Sequence, residues 1–348
     1  MKLYPLKFES VPIAKEWGGT AFGGILGKKF IVRDEDGNED FLPSDTVLGE
    51  SYEAADLGEG YESVVSNGFL AGNTLGEITE TYMEDLIGDN PGSYFGTQFP
   101  IAAKLADIKG GTPVHVHPDD RIAFDRFDAL GKKELWYIMA ADRNAAIYVG
   151  LSREISAEEL FDRCMKGTIK EVMHRITPRR GDMVVIPPGT LHCAENGILA
   201  AVVEESSLLH FDLCGDGLTA EERLQDIGEA MDFIDLKPAA PLYYDRHSTG
   251  TITDSDQFTV NKIELDGKAA HIDAEETDSA LLYFCVEGAA VIQCDPEKDP
   301  AKYALSRGEA LIIPACASKV TVIPDTGGCT LLEAFLRERK EHDSYVDD

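Results

Sequence analysis

Two stretches far apart in the chain read alike: GDMVVIPPGTLH from Gly181 and GEALIIPACASK from Gly308. Each runs glycine, acid, four largely apolar residues, then proline, the order that a turn, a short strand and a second turn require. Similar short apolar runs recur as PVHVH, ELWYIMA, AAIYVGL, ILAAVVEE, QFTVNKIEL, ALLYFCVEG, AAVIQCD and SKVTVIP. Short strands punctuated by glycine and proline build antiparallel barrels or sandwiches rather than βαβ units. A chain of 348 residues also exceeds a typical single domain. The repeat therefore predicts two related barrels. LKPAAPLYYD, from Leu236, marks the break between a first unit over 1–240 and a second over 241–348.

Helical patterns interrupt mainly the first unit. One opens at Asn73 in NTLGEITETYMEDLIG. A second opens at Ser156 in SAEELFDRCMKGTIKEVMHR, and a third at Thr219 in TAEERLQDIGEAMDFI. Ser156 with Glu159, and Thr219 with Glu222, have the spacing of a capping box.

Within the first unit, TPVHVHPDD places His115 and His117 two residues apart on an expected strand. Alternate strand residues share a face, so both imidazoles are able to reach one metal ion. Asp119 and Asp120 follow, beyond Pro118, in an expected turn. Downstream, Glu134 in GKKELWYIM offers a carboxylate, with Lys132 and Trp136 on its face. The turn at Pro187 and Gly189 then brings in His192. Three imidazoles and a carboxylate suit Zn, Mn, Fe, Co or Ni and leave positions open for water or substrate. Cys193, next to His192, is expected to pack rather than to ligate. The second unit has Lys319 where His192 stands, and VEGAAVIQC has no histidine, so it is expected to be metal-free.

The net charge of −31 argues against nucleic acid or an anionic membrane surface as partner. No long apolar run is present, and seven scattered cysteines without CxxC spacing fit a reducing compartment. The expectation is a cytoplasmic protein, monomeric or homodimeric.

The histidine, glutamate and PxG-turn arrangement resembles the two-part signature of the cupin barrels. The implied class is mostly β, two cupin-type jelly-roll barrels with helical insertions, the first carrying the metal site. Further segments resemble the type I mannose-6-phosphate isomerases, in particular their short bacterial form: EWGG at Glu16, LGESYEAAD, VVSNGFLAGNTLGEI, FPIAAKLAD, VHVHPDD, GKKELWYIM, IPPGTLH and FTVNKIEL. The resemblance implies a metal-dependent interconversion of mannose 6-phosphate and fructose 6-phosphate through an enediol, with one divalent ion, Zn2+ in that family. His115, His117, Glu134 and His192 match as ligands, Lys132 as the family's proton-transferring lysine, and Glu50 as a family position near substrate.

The departures are as informative. Glutamine is usual in the family at position 115, and a small hydroxyl residue, associated with phosphate binding, at Pro113. Asp212 falls where the family has a catalytic arginine. Val202 replaces an acid and Glu204 a glutamine, so Glu204 is the expected substitute acid–base group. Lys104, Arg121, Lys132 and Lys133 are candidate compensating cations; Lys104, Glu50 and Asp212 are the expected substrate contacts. The competing expectations are an isomerase of a neutral or different sugar, and a sugar-binding homologue without turnover.

Overall fold

The computed structural model describes residues 3–34, 37–58, 60–275, 277–295 and 301–338. Its first unit is built of two sheets. A seven-stranded sheet runs in the order β1 (Val11–Ile13), β4 (Glu50–Ala54), β5 (Ile101–Ile108), β12 (Ile198–Glu205), β7 (Glu134–Ala141), β10 (Met183–Ile186) and β14 (Leu242–Tyr244). A five-stranded sheet runs β13 (Phe211–Cys214), β6 (Val114–Val116), β11 (His192–Glu195), β8 (Ala146–Leu151) and β9 (Met173–Ile176). β2 (Ile31–Arg33) and β3 (Glu39–Phe41) form a separate hairpin. The second unit is one sheet: β15 (Gly250–Thr253), β16 (Thr259–Leu265), β21 (Lys319–Phe335), β18 (Leu281–Cys294) and β19 (Tyr303–Ser306). β17 (Ala270–Asp273) joins it on β21, and β20 (Ala310–Ile313) on β18. Every pairing is antiparallel, as the short-strand punctuation required. β14, just past the expected break, still pairs with β10 of the first unit.

Period-two alternation decides where each side chain goes. On β12, Leu199, Ala201 and Val203 enter one apolar cluster, while Ala200 and Val202 enter another. The first cluster also holds Leu135, Tyr137 and Met139 of β7 with Phe258, Val260, Leu282 and Phe284, so it is shared by the two units. The second lies inside the first unit, with Ile138, Ile147, Val149 and Val184. One sheet thus has a face toward the second unit and a face toward its own interior.

The helices differ in detail from expectation. The first begins one residue later, over Leu75–Tyr82, with Thr74 as cap and Glu77 completing the box. At the second, Ser156 caps the Glu159 amide, but the Glu159 carboxylate pairs with Arg153 and Arg163 instead of returning to the cap. That helix stops at Lys166, because Gly167 turns left-handed, and the rest of the expected run is a 3-10 turn and β9. The third keeps its complete box, Thr219 with Glu222. The turn expected at Asp119 and Asp120 is the start of a helix, Asp120–Phe127, with the Asp119 side chain capping the Ile122 amide.

Candidate active site

The pairing register assembles the site. On the five-stranded sheet, His192 lies directly opposite His115, with ring centroids 4.0 Å apart. His117 follows at the end of β6, 5.2 Å from each of the other two rings. The PxG turn is tied to this segment, since the Gly189 amide donates to the His117 carbonyl at 2.8 Å. Gly189 has φ +75°, and a Cβ there would lie 2.6 Å from the Phe233 carbonyl oxygen, so a side chain is excluded. Across the gap, β7 of the other sheet supplies Glu134. Its Oε2 is 3.1 Å from His192 Nε2 and its Oε1 is 3.9 Å from His117 Nε2.

Each ring is oriented by a backbone carbonyl. His115 Nδ1 donates to Pro113 at 2.9 Å, His117 Nδ1 to Leu209 at 3.0 Å, and His192 Nδ1 to Thr190 at 2.9 Å. A proton fixed on Nδ1 leaves the Nε2 lone pair facing inward. The buried Nε2 atoms of His117 and His192 have no hydrogen-bond partner in the protein. Ligand atoms of the three histidines lie within 4.8 Å of one another. Burial drives the His115 and His117 imidazoles well below their usual pKa, so they stay neutral. Inward lone pairs beside a carboxylate repel unless a cation lies between them. The donor set therefore fits a divalent metal ion. Trp136 Nε1 donates to Glu134 at 3.2 Å and helps hold the carboxylate in place. Cys193 packs on the opposite side of β11, its thiol pushed up to about 12 by burial.

Beside this cluster opens a cavity of about 660 Å³. Lys104 is buried in its wall, 3.0 Å from Glu50 and 3.0 Å from Glu204. Burial alone would lower the Lys104 pKa, but Glu204 and Glu50 outweigh it and hold the ammonium well above the ordinary value. Lys132 approaches Glu204 at 3.9 Å. Its backbone precedes β7, and its amide donates to the Pro118 carbonyl. Burial lowers the Lys132 pKa and raises that of Glu204 to about 7. Glu204 is opposite Glu134 in register, so two carboxylates and two lysines share one buried locus.

The register thus brings together His115, His117, Glu134, His192, Lys132, Glu204, Glu50 and Lys104. Asp212, opposite His115, also lines the cavity, 3.8 Å from His210. Two candidate cations lie elsewhere. Arg121 is exposed on the helix Asp120–Phe127, which points it to solvent. Lys133, one residue from Lys132, points to the opposite face of the sheet, where Thr253 and Ser255 hold its ammonium. The cavity contains a cation the sequence reading passed over, Lys15, whose Nζ is 3.5 Å from Glu50. Its signal was its position beside EWGG, but no periodicity pointed it at a site over ninety residues away.

Comparison with known proteins agrees with this architecture. A family model described as mannose-6-phosphate isomerase, cupin domain, matches residues 248–333. The mannose-6-phosphate isomerase of Streptococcus mutans is 30% identical over 320 residues, covering 89% of this chain and 92% of that one. The chain belongs to the mannose-6-phosphate isomerase family. Within that family, the crystal structure of the mannose 6-phosphate isomerase from Bacillus subtilis has a TM-score of 0.76 at 26% identity, covering 95% of this chain and 99% of that one. A zinc-bound mannose 6-phosphate isomerase shares the fold, with a TM-score of 0.71 at 15% identity over 97% of this chain and 100% of that one. Family membership makes the cupin-type jelly roll of both units the frame for the chemistry. Among the described residues no helix is long and apolar enough to cross a membrane.

Proposed function

We propose that this chain is an aldose–ketose isomerase that interconverts mannose 6-phosphate and fructose 6-phosphate, using one divalent ion, zinc, held by His115, His117, Glu134 and His192. The observation that carries the reading is the inward-facing, unpartnered Nε2 atoms of His117 and His192 against Glu134, with His117 and Glu134 on the wall of a cavity that Lys132 and Lys104 also line. When bound, the ion supplies a Lewis acid for oxygen charge developing at C1 and C2.

The chain's own groups do the rest. Lys132, which lines the cavity, is the group able to take a proton from one sugar carbon and return it to the next, with the fully buried Glu204 3.9 Å behind it to exchange charge with it. Lys104, between Glu50 and Glu204, fixes both carboxylates and presents a positive charge to the sugar oxygens. Lys15 is the most exposed of the three lysines and is suited to the phosphate end. The lining side chains comprise five carboxylates and three ammonium groups, an excess of negative charge that one divalent cation balances. Asp212 works against the phosphate and is the feature that sets this pocket apart from the arginine-bearing form. The division into a working first unit and a metal-free second one after Tyr244 is part of the same proposal, as are a small-molecule partner and a cytoplasmic setting.

The test is proton exchange at C2, followed by NMR in heavy water with mannose 6-phosphate, fructose 6-phosphate and free mannose, with and without chelator. Interconversion of the phosphates that stops on chelation is expected. Lys132→Ala should lower turnover by about 10²–10⁴-fold while metal content is kept. Exchange on free mannose alone, or on no sugar, would overturn the reading.

A further inference from the structure

The two adjacent lysines at the start of β7 face opposite ways. Lys132 reaches the cavity, whereas Lys133 donates to Thr253 Oγ1 at 2.6 Å and to Ser255 Oγ at 2.7 Å, both in the second unit. The whole strand repeats this division. Glu134, Trp136 and Ile138 look into the first unit. Leu135, Tyr137 and Met139 pack against the second, in one cluster with Phe258, Val260, Leu282 and Phe284. Polar ties follow the same face, with Tyr137 Oη donating to Glu287 at 3.0 Å and Arg307 to the Met139 carbonyl at 3.2 Å.

Lys133 stands at the reactive end of this face. It is 5% exposed, its ammonium lies 5.0 Å over the Phe258 ring, and its backbone is clamped as well. The Lys133 amide donates to Glu205 Oε2 at 2.7 Å, and the Glu205 amide donates back to the Lys133 carbonyl at 3.2 Å. One buried residue therefore joins three things: the strand with Lys132 and Glu134, through its backbone the strand end with Glu204, and through its side chain the second unit. An apolar side chain would fill the same space against Phe258. An ammonium with two directed hydroxyl acceptors instead fixes where the strand end lies.

We propose that the metal-free unit serves as a back-plate that sets the position of Lys132 and Glu134 through Lys133, which makes Lys133 a positioning residue and gives the second unit a part in turnover. The proposal rests on the isomerase reading of Lys132 and Glu134. Misplacement of a reacting group by a fraction of an ångström costs rate without removing any group that touches substrate.

The experiment compares Lys133→Met with the double change Thr253→Val/Ser255→Ala, and with the two combined, all in the full-length zinc-loaded protein. Each separate variant is expected to lower kcat about tenfold, with KM for fructose 6-phosphate within about twofold and one metal per chain retained. The combined variant should lose no more than the larger single loss, because all three remove the same tie. The visible absorption of the cobalt-loaded protein, which reads ligand geometry at Glu134 without any turnover, should shift in each. A kcat equal to that of the parent in either variant, or losses that multiply in the combination, would overturn the proposal. If Lys133→Met does not fold, the Thr253/Ser255 variant decides alone. A parent protein with no turnover at all defeats the isomerase reading instead, and an unchanged cobalt spectrum in the variants then overturns the back-plate.

Discussion

The two units share a strand-and-turn pattern but fill it differently. In the first, the turn after β10 leads through Pro187 and Gly189 to His192, which is fully buried against His115. In the second, the turn after β20 leads through Pro314 and Ala317 to Lys319, which is exposed. The interior of the second unit is closed by Leu281, Tyr283, Ile292, Leu305, Leu311, Val320, Val322 and Leu331. A deep polar pair there is satisfied internally, Tyr283 Oη donating to Glu333 at 2.6 Å. The first unit instead leaves inward-facing nitrogen lone pairs and a cavity of about 660 Å³. Apolar alternation builds both frames, and function follows from what is left unfilled.

The comparison breaks most visibly at the ligands. His117→Ala should abolish stoichiometric metal binding and lower turnover by at least about 10²–10³-fold, measured by metal analysis and NMR assay. The fold should survive, since the frame does not depend on that ring. The mirror experiment is Leu311→Ala in the packed second unit. It should cost about 2–5 kcal/mol in denaturant unfolding and leave metal content at one per chain. If Leu311→Ala removed the metal and kept the stability, the division of roles would be wrong. Asp212→Arg sharpens the comparison with arginine-bearing pockets. Replacing a carboxylate that lines the cavity by a cation should raise kcat/KM for the phosphorylated sugar about tenfold, and leave any exchange on free mannose unchanged. The smallest effect is expected for Lys319→His. A histidine on that exposed position would have one diagonal imidazole, His271, already tied to Thr321, rather than two converging ones with a buried carboxylate, so metal stoichiometry should not rise and stability should stay within about 0.5 kcal/mol.

Much of this was readable in order along the chain. HVH on a strand, the PxG turn and Glu134 are local patterns, and the geometry brings the three histidines and the carboxylate together. The capping signals at Ser156 and Thr219 were equally local; both residues cap their helices, but only the Thr219 box is complete, and the box at Thr74 was not read. The helix at Asp120–Phe127 was missed because a proline and two aspartates read as a turn, although Asp119 is its cap. Strand alternation already put Lys132 on the Glu134 face, but Lys104 and Lys133 were both open as compensating cations, and of these only Lys104 faces the cavity.

The sequence by itself determined the class of fold and singled out the candidate donors of the proposed metal site, because strand periodicity and ligand spacing act over a few residues. The tertiary structure alone decided which charges meet. Lys104 between Glu50 and Glu204, Lys15 in the cavity and Lys133 turned toward Thr253 all depend on cross-strand register and on contact between the two units. Those are long-range pairings. No local pattern encodes them, since each is set by how two distant segments pack.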